Sequence, residues 1–137
     1  MHERAGSTKI LHLHGELIKA RSTVDENLIY KLNNWELTSN SKCEKGSRLR
    51  PHIVWFGEAV PAISEAAEIV SKADILVIVG TSMNVYPAAG LIDYAPSKCP
   101  IYIIDPNDVN MSSYGNRTFI KEKASSGMRK LMEILVN

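Results

Sequence analysis

At 137 residues and 45% hydrophobic content, the chain has one domain's length and enough apolar side chains to pack a core. A net charge of +1 leaves no broad basic surface, which excludes DNA or RNA as the natural partner. No apolar run approaches a membrane span, no secretory leader is expected, and two cysteines, Cys43 and Cys99, make no disulfide framework, so a reducing cytoplasm fits.

In chain order, Lys9 to Leu13 reads as a short strand ending at the His14-Gly15 turn, and Leu17 to Arg21 as a second. Residues 22–47 are polar and read as an irregular insert with one helical turn near Glu26 to Lys31. Pro51 to Phe56 reads as a strand. Pro61 to Lys72 reads as an amphipathic helix, with Ile63, Ala66, Ala67 and Val70 at helical spacing and Pro61 in its first turn. Ile75 to Val79 is an unbroken aliphatic run, the pattern of a strand buried on both faces. A helix is expected from Pro87 to about Tyr94, stopped by Pro96, and a buried strand from Ile101 to Ile104. Residues 112–116 read as loop and Thr118 to Lys121 as a weak strand. Ser126 is expected to cap a last helix through Leu135, with Met128, Leu131, Met132 and Leu135 as its apolar stripe. No internal repeat is present.

Strand and helix alternate, so the predicted fold is α/β with a parallel sheet. Ligands of such sheets bind at the carboxyl ends of the strands. Gly80-Thr81-Ser82 and Asp105-Pro106-Asn107 stand at those ends. The triplet of glycine and hydroxyl residues offers N–H and O–H groups suited to ribose or phosphate, although plain turns have the same composition.

The most informative run is Arg50-Pro51-His52-Ile53-Val54-Trp55-Phe56-Gly57-Glu58. Two large rings follow two β-branched residues, and Gly57 frees the backbone to turn. That composition suits a strand whose end faces a ligand. Three more motifs accompany it: His2-Glu3-Arg4-Ala5-Gly6 with Leu13-His14-Gly15-Glu16-Leu17, then Val79-Gly80-Thr81-Ser82, then Val85-Tyr86-Pro87-Ala88-Ala89-Gly90. Their order and spacing resemble those of the sirtuins, the NAD-dependent protein deacylases, and most of all the bacterial and mitochondrial deacylase branch. The resemblance spans nearly the whole chain and is poor over 22–47.

The resemblance implies a part of a Rossmann-like parallel sheet over 1–21 and 48–137, with 22–47 as a small-domain insert. His14 matches the catalytic histidine, which takes a proton from a ribose hydroxyl after the acyl oxygen has attacked the ribose and nicotinamide has left. A lone histidine in a turn is ordinarily structural, the reading kept for His12 and His52. NAD contacts are implied for Gly80, Thr81, Ser82, Asp105, Pro106, Asn107 and, through its backbone, Ala124. Asp105 departs from the family's usual asparagine; a carboxylate can accept from ribose hydroxyls or repel the phosphates. Val54, Trp55, Phe56, Gly57 and Glu58 should flank an acyl-lysine channel faced by Val85 and Tyr86, with a peptide substrate adding as a strand. One of Trp55 and Phe56 should be core, since consecutive strand residues face opposite ways.

Sirtuins usually hold a structural zinc between these motifs on two cysteine pairs. Ser22 stands where the first cysteine is expected and Cys43 is the single cysteine of the insert. A structural site needs four ligands, so no zinc is expected and the insert should either be held by packing from Leu28, Ile29, Tyr30, Leu32, Trp35 and Leu37 or be partly mobile. The family's glycine-rich phosphate loop is also absent. The chain is therefore expected to be a C-terminal part of a deacylase, inactive alone, with an exposed sheet edge that invites self-association. The alternatives are a non-catalytic remnant that binds nucleotides or proteins, and an unrelated α/β nucleotide-binding module.

Overall fold

Two three-stranded sheets form, one antiparallel and one parallel, each within its own unit of the chain, 1–62 and 63–137. The computed structural model describes residues 2–34, 36–109 and 115–136. Trp35 and residues 112–114 of the expected loop lie outside them.

In the first unit a 3-10 turn, Glu3–Ala5, precedes β1 (Gly15–Ser22), β2 (Ile29–Lys31) and β3 (Leu49–Ile53), with β1 in the middle. β1 pairs Lys19 to Arg21 with Lys31 to Ile29 on one side. On the other side Gly15 pairs with Ile53 and Glu16 with His52; after a bulge the ladder resumes with Ala20 opposite Pro51. The bulge accommodates a proline that cannot donate to a ladder, and it leaves Leu17 and Ile18 exposed. The turn into β2 is built by Asp25: its Oδ1 accepts from the Asn27 N–H at 3.1 Å and its carbonyl from the Leu28 N–H at 3.1 Å. The residues expected to form a helical turn near Glu26 to Lys31 therefore form a strand, because β1 supplies ladder partners there.

The segment 9–13, expected as a strand, has no ladder among the described residues. The expected strand Pro51 to Phe56 starts at Leu49 and stops at Ile53, because the chain turns at Phe56 and Gly57.

In the second unit, α1 (Ile63–Val70) leads to β4 (Leu76–Val79). A 3-10 helix (Ala88–Tyr94) connects to β5 (Ile101–Ile104), followed by β6 (Arg117–Ile120) and α2 (Ala124–Val136). The strands are parallel in the order β4-β5-β6. Their period-two alternation fills both faces. Leu76, Ile78, Ile101 and Ile103 pack with Ile92 of the 3-10 helix, while Val77, Tyr102, Ile104 and Ile120 pack with Leu131 of α2. This is the α/β arrangement expected, with a parallel sheet covered by helices.

Three local expectations differ. Residues 88–94 wind as a 3-10 helix rather than an α-helix. Ser126 lies inside α2 and donates to the Lys123 carbonyl at 3.2 Å, so it is not a cap. Of the expected stripe only Leu131 is buried; Gly127 is the second buried position, because α2 rests there on Ile104 and a Cβ would lie 2.3 Å from its Cγ2.

Candidate functional site

His14 and the WFGE run belong to the first unit, and one hydrogen bond joins them. The Val54 N–H donates to the His14 carbonyl at 3.0 Å. This continues the pairing of Gly15 with Ile53 by one step beyond the strand. Gly15 makes the approach feasible: its φ is +83°, and a Cβ there would lie 2.1 Å from the His52 carbonyl oxygen. The imidazole of His14 is exposed.

Beyond Val54, residues 55–58 close a tight turn. The Glu58 N–H donates to the Trp55 carbonyl at 3.0 Å, and the Trp55 N–H donates back to Glu58 Oε2 at 3.1 Å. Arg50 then clamps the carboxylate bidentately, Nη1 to Oε1 at 2.6 Å and Nη2 to Oε2 at 3.0 Å. Buried Arg21 adds a longer ion pair, Nη2 to Oε2 at 3.6 Å. Both rings consequently stand in solvent: Trp55 is 53% and Phe56 93% exposed, so the expected burial of one of them does not occur. The reason is that neither residue is in the strand, and strand alternation does not apply to them.

Arg50 heads the run singled out from sequence, but neither its role nor that of Arg21 was foreseen. The signal was an arginine eight residues before an acid with a glycine between, which becomes a contact once β3 ends and the chain reverses. Hydrogen bonds from Arg50, then from the Trp55 amide, hold the Glu58 carboxyl below its ordinary range. A depressed carboxyl contributes stability above its unfolded pKa and loses it as the pH falls through the folded one. Denaturation of the parent and a Glu58→Gln variant is therefore expected to show a stability gap at pH 7 that closes on acidification below the ordinary carboxyl range. A gap independent of pH would show that the Glu58 charge is not what holds the turn.

The second unit brings the other candidates to the carboxyl edge of the parallel sheet. The Gly80 N–H donates to the Ile104 carbonyl at 2.9 Å, and the Asp105 N–H to the Ile120 carbonyl at 3.3 Å, so the three strand ends are level. Asp105 Oδ1 accepts from the Asn107 N–H at 2.8 Å, which shapes the Asp105-Pro106-Asn107 turn. A cavity of about 190 Å³ opens there, with Asp105, Asn107, Asp108, Phe119 and Lys121 in its wall. Lys121 and Asp108, which sequence reasoning missed, pair at 2.6 Å on its rim. Such a wall offers carboxylates to sugar hydroxyls, a cation and an aromatic face.

Thr81, Ser82, Pro106 and Ala124 are exposed and do not line this cavity; Ala124 opens α2. Thr81 Oγ1 accepts from the Met83 N–H at 3.3 Å, and Met83 has φ +57°. Val85 and Tyr86 are exposed and lie in the second unit, whereas Val54 to Glu58 lie in the first.

Among the described residues one group has the composition and proximity of metal ligands: Glu3, His12 and Glu16. Its acids already have partners, His12 on Glu3 at 2.6 Å and Lys19 on Glu16.

A model of the Sir2 family matches residues 1–87. An NAD-dependent protein deacylase of Bacteroides thetaiotaomicron is 47% identical, the match covering 99% of this chain and 60% of that protein. One from Helicobacter pylori is 48% identical over 99% of this chain and 59% of that protein. The chain thus spans about 60% of the length of these relatives. A crystal structure of a Sir2 homologue–NAD complex superposes with a TM-score of 0.81 at 34% identity, covering 98% of this chain and 54% of the other. Sir2Tm bound to a propionylated peptide superposes with a TM-score of 0.76 at 27% identity, covering 97% and 59%.

Proposed function

Because this chain belongs to the Sir2 family, we propose that it carries the catalytic histidine, the acyl-lysine turn and part of the nucleotide site of an NAD-dependent protein deacylase. The observation that carries this reading is the Val54 N–H to His14 carbonyl bond. It sets an exposed histidine beside a rigid turn bearing two exposed aromatic rings. On this reading residues 1–21 and 48–137 belong to the nucleotide-binding domain and 22–47 to its insert.

On this reading the roles are those the resemblance implies. His14 is the base, exposed where a ribose hydroxyl can reach it. Val54, Trp55, Phe56 and Gly57 guide the acyl-lysine, a role the resemblance also implies for Val85 and Tyr86 of the second unit, and Glu58 holds the turn of the first unit rather than touching substrate. A peptide adds as an extended strand whose main-chain bonds give affinity and whose side chains meet the rings. NAD, when bound, supplies the ribose that accepts the acyl group and loses nicotinamide. Gly80, Thr81, Ser82, Asp105, Pro106, Asn107 and the Ala124 backbone would hold it. The Asp105 and Asn107 wall fits the hydroxyl-rich part of a nucleotide better than its phosphates. A cytoplasmic location and association through an edge of the parallel sheet belong to the same reading; no described helix is long and apolar enough to cross a membrane.

The test is nicotinamide release from NAD with an acetyl- or succinyl-lysine peptide. It is run on this chain and on the chain extended by the sequence that its Bacteroides relative carries in addition. Release that requires the peptide, from either protein, is the expected result. No release from both, with both folded by circular dichroism, would overturn the proposal.

A further inference from the structure

The resemblance implies a zinc in the insert, and the side chains gathered there do not fit one. Cys43, 6% exposed, places its Sγ 3.0 Å from Ser47 Oγ, which in turn lies 2.8 Å from Ser22 Oγ. Ser22 is 2% exposed, and its Oγ also accepts from the Val24 and Asp25 N–H groups, each at 3.2 Å. The neighbouring acids are occupied: Asp25 binds Lys45 at 2.7 Å, and Glu44 accepts from the Tyr30 hydroxyl at 3.2 Å. One thiol with two neutral hydroxyls is not a zinc donor set, which needs four thiolate, imidazole or carboxylate ligands. Cys43 does not belong to the one group of potential metal ligands among the described residues.

These side chains belong to the insert, where the resemblance implies a structural metal. Ser22 ends β1, and Cys43 to Ser47 form a turn closed by the Cys43 N–H to Ser47 carbonyl bond at 2.8 Å and the Gly46 N–H to Cys43 carbonyl bond at 2.9 Å. An isolated bridge, Lys42 to Arg48, and the Thr23 N–H to Arg48 carbonyl bond at 3.0 Å flank it. We infer that the hydrogen-bonded cluster of Ser22, Ser47 and Cys43 is a metal-independent staple, tying the 43–47 turn to the end of β1 where zinc-bearing family members use a metal. Hydrogen bonding with the Ser47 hydroxyl, then the Ser22 hydroxyl, lowers the Cys43 thiol pKa to about 7, so the cluster favours the ionised thiol. This inference does not depend on the deacylase reading, since it concerns folding alone.

The test is thermal unfolding of the whole chain with and without a zinc-selective chelator, beside three variants. A melt unmoved by chelator is expected, with Ser22→Ala lowering the melting temperature by roughly 5–10 °C, since buried partners lose their hydrogen bonds. Lys45→Ala, which removes an exposed pair, should move it by less than about 2 °C. Ser22→Thr keeps the hydroxyl and should recover most of the loss, and it replaces Ser22→Ala as the informative variant if that chain does not fold. A melt lowered by chelator, or a Ser22→Ala chain that melts like the parent, would overturn the inference.

Discussion

Replacing Gly15 with alanine is expected to destabilise the first unit by at least about 3 kcal/mol. Two costs coincide at this position. The backbone is at φ +83°, a conformation that strains an L-residue by roughly 1–3 kcal/mol. The new methyl would also meet the His52 carbonyl oxygen at 2.1 Å, backbone that cannot swing aside as a flexible side chain would. For a unit of this size the melting temperature should fall by roughly 12 °C or more. Gly57→Ala is the control, with nearly the same φ of +88° but open space around a Cβ; it should lose only about 1 kcal/mol. Equal losses in the two variants would mean that the close approach of β1 and β3 does not matter.

His14→Tyr is expected to abolish peptide-dependent nicotinamide release, by roughly a hundredfold to ten-thousandfold, in whichever form of the protein shows it. The melt should stay within about 2 °C of the parent. The side chain is exposed, and the bond to Val54 uses the backbone carbonyl, which any residue provides. Turnover retained in a folded His14→Tyr protein would remove this histidine from the mechanism. Turnover lost together with the fold would show that the ring has a packing role.

The sheet of the second unit was the most legible part of the chain. Ile101 to Ile104 is three isoleucines and a tyrosine between Pro100 and Asp105-Pro106, and β5 has those bounds. α1 and α2 followed from their 3.6-residue spacing, with ends displaced by up to three positions. What failed depended on partners distant in sequence. Lys9 to Leu13 has a strand's composition, but a strand exists only with a ladder beside it. A helical turn is expected near Glu26 to Lys31, and Ile29 to Lys31 becomes a strand instead because Lys19 to Arg21 lies alongside.

The candidate site shows the same division. The strand ends at Gly80 and Asp105 were legible from pattern, because a parallel sheet determines where its loops emerge. The Arg50–Glu58 clamp was not, since it depends on β3 stopping at Ile53. One of Trp55 and Phe56 was expected in the core because both were placed in a strand, whereas a turn held by its own ion pairs leaves both in water.

That ion-paired turn bears on the thermodynamics of recognition. A loop that orders only when its partner arrives subtracts the lost conformational entropy from the affinity. Here the turn is braced by Arg50 and Arg21 from within its own unit, so on the proposed function a docking peptide would meet a backbone already held in place. The gain on association then comes chiefly from water released off two aromatic rings, and its signature is a fall in heat capacity without slow, loop-limited kinetics.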